Sequence, residues 1–192
     1  MIDYLIDATE FDLSYFTFIS LHTPDLAYAD DENSNRILSK LELLTRKYKI
    51  DNIIFHTDRV LNWNVLSNYK KIPISIENMD DHREFGKTIN DVKSILDKYG
   101  FKLTLDLQHS FVNDNSMKLA LDFQEKFKDK IVEYHVSGFD DEFLHYPLFK
   151  TNQNEIIDSL KYKNIPIIIE STFDQIGDQE KELEYIKNRM NQ

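Results

Sequence analysis

The chain contains no cysteine. That excludes disulfides, thiolate metal sites and cysteine nucleophiles together, and it fits a reducing cytoplasm as the expected compartment. Basic charge is short as well: 23 lysines and arginines stand against 34 acids, for a net charge of -11 and a pI near 4.9. Nucleic acids and anionic membranes need a basic surface, so neither is expected as a partner. No apolar run approaches the ~20 residues that span a bilayer. The opening stretch MIDYLIDATEFD carries acids at positions 3, 7, 10 and 12 and is not expected to act as a secretory signal.

What remains is a chain of 192 residues, 41% hydrophobic, long enough for one domain with a real core. Short runs rich in Ile, Val, Leu and Phe alternate with segments of helical spacing. The strands are expected at Leu5–Phe11, Phe16–Leu21, Asn52–Phe55, Ile72–Ile76, Leu103–Leu105, Ile131–Tyr134 and Ile165–Ile169. The helices are expected near Ser34–Tyr48, Asn62–Tyr69, Lys87–Tyr99, Ser116–Lys128, Gln153–Tyr162 and Glu180–Met190. Strands alternating with helices imply parallel pairing through right-handed crossovers. A strand such as IPIII is apolar at consecutive positions, as when both faces are covered. No linker or low-complexity tract divides the chain, so residues 1–192 read as a single domain. Six strand–helix units plus an N-terminal strand fall short of the ~250 residues of a full eight-fold barrel, which implies a shortened, incompletely closed (β/α) barrel of the TIM type. The four residues Asp12–Tyr15 are too few for a parallel crossover between the first two strands.

The residues that follow each apolar run carry the chemistry. They are His22, His56, Glu77, Asp106, His135 and Glu170. Acids and histidines number 34 and 6 in 192, roughly one residue in five, so six strand ends out of six is not what composition gives. In parallel α/β sheets all C-terminal strand ends open onto one face, where ligands bind. Three carboxylates and three imidazoles converging there would repel one another or be wasted unless a cation sat among them. The mixed oxygen and nitrogen donors favour zinc, manganese or iron over calcium or magnesium. His109 and His145 are expected in loops just past strand ends, on the same face. His82 falls outside the pattern and reads as a surface histidine.

The motifs HTPDL (His22–Leu26), HTD (His56–Asp58), IENMD (Ile76–Asp80), LDLQHSF (Leu105–Phe111), YHVSG (Tyr134–Gly138), LHYPL (Leu144–Leu148) and IIIEST (Ile167–Thr172) occur in an order that resembles the xylose isomerase-like TIM barrels. The resemblance covers about residues 16–175. That superfamily holds sugar-phosphate isomerases and epimerases together with the endonuclease IV type of AP endonuclease. In the epimerase branch it implies one divalent metal held by Glu77, Asp106, His135 and Glu170, with the two glutamates shuttling a proton. In the endonuclease IV branch it implies a second zinc shared by His22, His56 and Glu77. A third zinc there would fall to His109 and His145, but Phe143 stands where that branch has an aspartate.

Three functions follow from this reading. The leading one is a metal-dependent sugar or sugar-phosphate isomerase or epimerase. In it Glu77 and Glu170 act as base and acid around an enediolate, His109 hydrogen-bonds the substrate, and zinc or manganese is the Lewis acid. The alternative is di-zinc phosphoester hydrolysis, for which a DNA substrate is disfavoured by the acidic chain. The third is a shortened barrel that binds metal or ligand without turnover. The expected partner is a small sugar-like molecule, and an exposed sheet edge would favour a homodimer.

Overall fold

The structure, a computed structural model, describes residues 11–141 and 145–191. Six parallel strands form one open sheet in sequence order: β1 (Ser20–His22), β2 (Asn52–His56), β3 (Ile74–Glu77), β4 (Lys102–Asp106), β5 (Ile131–Val136) and β6 (Ile167–Ile169). Between and after them run α1 (Glu32–Tyr48), α2 (Trp63–Ser67), α3 (Ile89–Tyr99), α4 (Leu107–Asn113), α5 (Lys118–Phe127), α6 (Leu148–Thr151), α7 (Asn154–Asp158) and α8 (Asp178–Met190). Every strand is followed by at least one helix, which gives six βα units and an open half-barrel of the TIM type.

The central strands read as apolar runs because helices cover one face and the barrel interior the other, whereas Ile167–Ile169 of β6, expected to be covered on both faces, is only half-buried. Ile53, Phe55, Ile76, Leu103, Leu105 and Val136 are all fully buried. Against them lie Leu38, Leu41 and Leu44 of α1, Val92, Ile95 and Leu96 of α3, and Phe123 of α5. The three residues of α3 recur at i, i+3 and i+4, the spacing of a single apolar stripe.

Helix ends follow local chemistry. Thr88 caps α3 in a capping box with Asp91, each side chain accepting from the other's backbone N–H at 3.2 and 3.1 Å. Gly100 closes α3 at φ 73, where a side chain would be strained. Gly86 is needed for a second reason. At φ 93 it lets the segment after β3 return toward β2, and a Cβ there would fall 1.7 Å from the Thr57 hydroxyl.

Some expectations shift. The run Phe16–Leu21 pairs only from Ser20, so β1 is short, and residues 5–10 of the expected N-terminal strand lie outside the described residues. His109, expected in a loop, lies in helix α4. The expected helix over Gln153–Tyr162 is the short α7, preceded by an extra turn, α6. Among the described residues no helix is long and apolar enough to cross a membrane.

Candidate metal centre

The strand ends converge. Strands β1 to β4 terminate on His22, His56, Glu77 and Asp106 themselves, while His135 is the penultimate residue of β5 and Glu170 directly follows β6. Register makes neighbours of them: His56 pairs with Glu77, and Asp106 with His135. Ligand-type atoms of Glu77, Asp106, His135 and Glu170 lie within 4.8 Å of one another. So do those of His22, His56 and Glu77, and those of Asp106, His109 and His145. All eight residues singled out in the sequence are therefore brought to one place. His82 is 59% exposed and stands apart, as expected.

Glu77 is the hub. It is 1% exposed, and its Oε1 lies 2.9 Å from His135 Nδ1. Its Oε2 lies 3.1 Å from His22 Nε2 and 3.2 Å from His56 Nε2. Glu170 Oε2 reaches the same His135 Nδ1 at 3.1 Å. Burial alone would raise the Glu77 carboxyl, but the charge of His135 and hydrogen bonds from His135, His22 and His56 outweigh it and hold it well below the usual range. Burial likewise opposes protonation of His135, yet Glu77, Glu133 and Glu170 together raise it well above an ordinary imidazole. Glu170 is lowered, the hydrogen bond from His135 overcoming burial. Asp106 goes the other way: burial, then the charges of Glu77 and Glu170, push its carboxyl up to about 8. Burial first, and the neighbouring carboxylates second, thus favour the protonated form of Asp106.

Asp106 also explains the spacing D-x-x-H. It ends β4 and caps α4, its Oδ1 accepting from the His109 backbone N–H at 2.8 Å. His109 therefore sits in the first turn of a helix rather than in a loop. Its Nδ1 donates to the Asn78 carbonyl at 2.8 Å, which leaves Nε2 for the cleft. His145 Nδ1 is likewise engaged, with Ser137 Oγ at 2.9 Å. Asn78, fully buried beside Glu77, accepts from the Asp106 backbone N–H at 2.7 Å and donates to its carbonyl at 2.9 Å, bracing β3 against β4.

The second oxygen of Asp106, Oδ2, is buried and has no hydrogen-bond partner. A buried carboxyl oxygen left unpaired is costly, and it belongs to a residue whose ligand-type atom lies within 4.8 Å of those of Glu77, His135 and Glu170. That orphaned atom and the N/O donor set fit a divalent transition metal. The cluster opens into a cleft of about 350 Å³, lined also by Met79, Asp80, Arg83 and Thr172. This is at the small end of ligand clefts, which run ~300–1,000 Å³. A larger apolar cavity, about 430 Å³ among Phe11, Phe16, Leu44 and Ile168, carries none of these groups.

No protein-family model and no curated protein matches the chain. Solved structures do. A D-tagatose 3-epimerase-like protein is 21% identical, with a TM-score of 0.67 over 99% of this chain and 82% of that one. The shared feature is the fold, a (β/α) barrel of the TIM type. Endonuclease IV from Thermus thermophilus superposes with a TM-score of 0.67 at 9% identity, covering 90% of this chain and 75% of its own. A 3-keto-D-glucoside 4-epimerase from E. coli gives 0.62 at 10% identity, over 88% and 78%.

Three buried groups of this centre escaped the reading of strand ends: Asn78, Ser137 and Glu133. Asn78 and Ser137 gave no signal, since a polar residue just past a strand is ordinary. Glu133 did, as an acid set inside the apolar run IVEYHV.

Proposed function

We propose that the chain is a metal-dependent enzyme acting on a small hydroxycarbonyl compound, as an isomerase or epimerase of sugars or sugar phosphates. The observation that carries this reading is the pair Glu77 and Glu170, which reach one imidazole nitrogen from β3 and β6 at 2.9 and 3.1 Å. Both carboxylates are held below their ordinary range, so both are ionised at neutral pH. Glu77, Asp106, His135 and Glu170 would hold a zinc or manganese ion. Such an ion, when bound, polarises a carbonyl and its neighbouring hydroxyl.

The rest falls to the protein. One glutamate takes the proton from the carbon beside the carbonyl, and the other returns it. Glu170, 25% exposed at the cleft, has the freer access. His109, anchored through Nδ1, offers Nε2 to a substrate oxygen. The small polar cleft suits a molecule of monosaccharide size better than a polymer. The epimerases among the superposed structures support the same reading.

A second reading has its own observation. His22 and His56 both lie within hydrogen-bonding reach of Glu77 Oε2, and these three residues would hold a second ion. Two ions so placed serve phosphoester hydrolysis, and endonuclease IV superposes on the chain. The net charge of -11 weighs against a DNA substrate, which leaves a small phosphoester.

The test is exchange of substrate C–H for deuterium in heavy water, screened over ketoses and their phosphates with added manganese or zinc. Exchange that disappears in Glu170→Gln is the expected result. Silence across the panel, with turnover of bis(p-nitrophenyl) phosphate that needs His22 and His56, would replace it with the hydrolase. Metal binding with neither activity would leave a binding protein.

A further inference from the structure

Glu133 is fully buried on β5, two residues before His135. Alternation along a strand puts both side chains on one face, with Glu133 one layer deeper than the strand-end cluster. Its Oε1 accepts from His135 Nε2 at 3.0 Å. The same oxygen accepts from Thr104 Oγ1 of β4 at 3.4 Å. Thr104 has a single proton, so once it donates to Glu133 it must be an acceptor toward its other neighbours. Those are Ser75 Oγ of β3 at 2.7 Å and Asn52 Nδ2 of β2 at 3.2 Å. Asn52, Ser75 and Thr104 are all buried. Four strands thus contribute to one layer of hydrogen bonds, which reaches the Glu133 carboxylate through Thr104. A hydrophobic layer would normally fill this depth of a barrel. Burying a carboxylate there is costly unless something cationic or strongly donating needs it.

We propose that Glu133 is a positioning residue for His135: it takes the Nε2–H hydrogen bond and so aims Nδ1 at Glu77, Asp106 and Glu170, ready to ligate the ion. This rests on the ligand assignment made under the proposed function. An outer carboxylate on a ligating imidazole fixes its tautomer and ring orientation and makes the facing nitrogen more basic. Glu133 does not line the cleft, so its effect on the ion passes through His135, while its longer bond from Thr104 ties β5 to β4.

Glu133→Gln keeps the volume and an acceptor oxygen while removing the charge. Its zinc and manganese affinities, read by calorimetry or chelator competition, are expected to fall about 10–100-fold. In a His135→Ala background the same change is expected to leave the remaining affinity unaltered, since the residue it acts through is gone. Equal losses in both backgrounds would make Glu133 a structural residue and overturn the inference. So would an affinity unchanged in Glu133→Gln while the wild-type chain binds metal, and then the ligand assignment would survive. A wild-type chain that binds neither metal would remove the assignment and the inference with it. Nitrogen-15 NMR of the zinc-loaded wild-type protein needs no variant to fold. The His135 Nε2 is expected to keep its proton while Nδ1 is metallated, and zinc on Nε2 would refute the proposal outright.

Discussion

The centre of the sheet and its two edges hold the same residue types in different ways. At the centre, Glu77, Asp106 and His135 are at most 1% exposed, and each strand has a partner on both sides. Second contacts fix them: Asn78 spans β3 and β4, and Glu133 stands behind His135. At the edges, β1 and β6 are three residues long and end the sheet order. Their residues are wetter, with side-chain exposures of 35% for His22 and 25% for Glu170. On the proposed function, the tightly packed central groups would set the geometry of the ion, and the more exposed edge groups would have room to shift as substrate arrives. Sites that combine binding with turnover need both properties, since a rigid cage preorganises and a mobile member transfers the proton.

The largest expected effect comes from breaking the centre. Glu77 belongs to two of the three ligand groups, so Glu77→Gln should remove metal at both, read as metal content per chain after purification without chelator. It also leaves the buried, protonated His135 short of a partner, a loss of about 3 kcal/mol in urea denaturation of the metal-free protein. Full metal content in this variant would show that the centre does not organise the site.

Next in size is pH. Metal must displace the protons held by His135 and Asp106, so affinity should rise ~10-fold per pH unit for each proton released, up to about pH 8. The metal-free protein should move in the opposite direction. Asp106 is raised in the folded chain from 3.8 to about 8, so its stabilising contribution is complete below pH 4 and is lost as pH climbs through 8. His135 is also raised, so its contribution is present below its ordinary 6.5 and is lost as pH rises through the folded value. Thermal midpoints in chelator should therefore fall between pH 6 and pH 8.5, while the increment given by zinc grows. A flat midpoint in chelator would mean that the centre carries no trapped protons.

The same contrast explains what the amino-acid sequence disclosed. Strands buried on both faces are mostly apolar, so the His, Asp or Glu that follows the apolar run marks the strand end and, in a parallel sheet, the functional rim. That made His22, His56, Glu77, Asp106, His135 and Glu170 visible at once. The edges were less legible. β1 starts four residues later than its apolar run implies, because only Ser20–His22 find a partner in β2. Helix α4 was hidden because it begins on Asp106 without a turn between, so one residue serves as strand end, helix cap and candidate ligand. Its seven residues are too few for an apolar stripe to declare itself. The deeper layer through Asn52, Ser75, Thr104 and Glu133 rests on contacts between four strands that no local pattern encodes.

A smaller effect is expected at the edge. His22→Ala removes a half-exposed partner of Glu77 but no member of the central group. Affinity for the first ion should change by no more than about threefold, as for other exposed charge contacts, while any second ion is lost. Titration with zinc, resolved into one or two equivalents, separates these. If the first ion leaves with His22, the half-exposed β1 edge holds that ion as firmly as the buried centre does, and the contrast between them is wrong.

The smallest effect calibrates the rest. Thr88→Ala removes one half of the capping box of α3, on the solvent side and away from the cleft. A lost cap costs about 1 kcal/mol in stability. Because Thr88 is not among the residues that line the cleft, metal affinity should stay as it was. A chain made less stable yet equally able to bind metal would show that affinity losses at Glu77 or Glu133 report the site rather than loosening of the whole barrel. Should Thr88→Ala weaken metal binding as much as Glu133→Gln, the centre of the sheet would be no more rigid than its surroundings, and its preorganisation would have to be abandoned as the source of affinity.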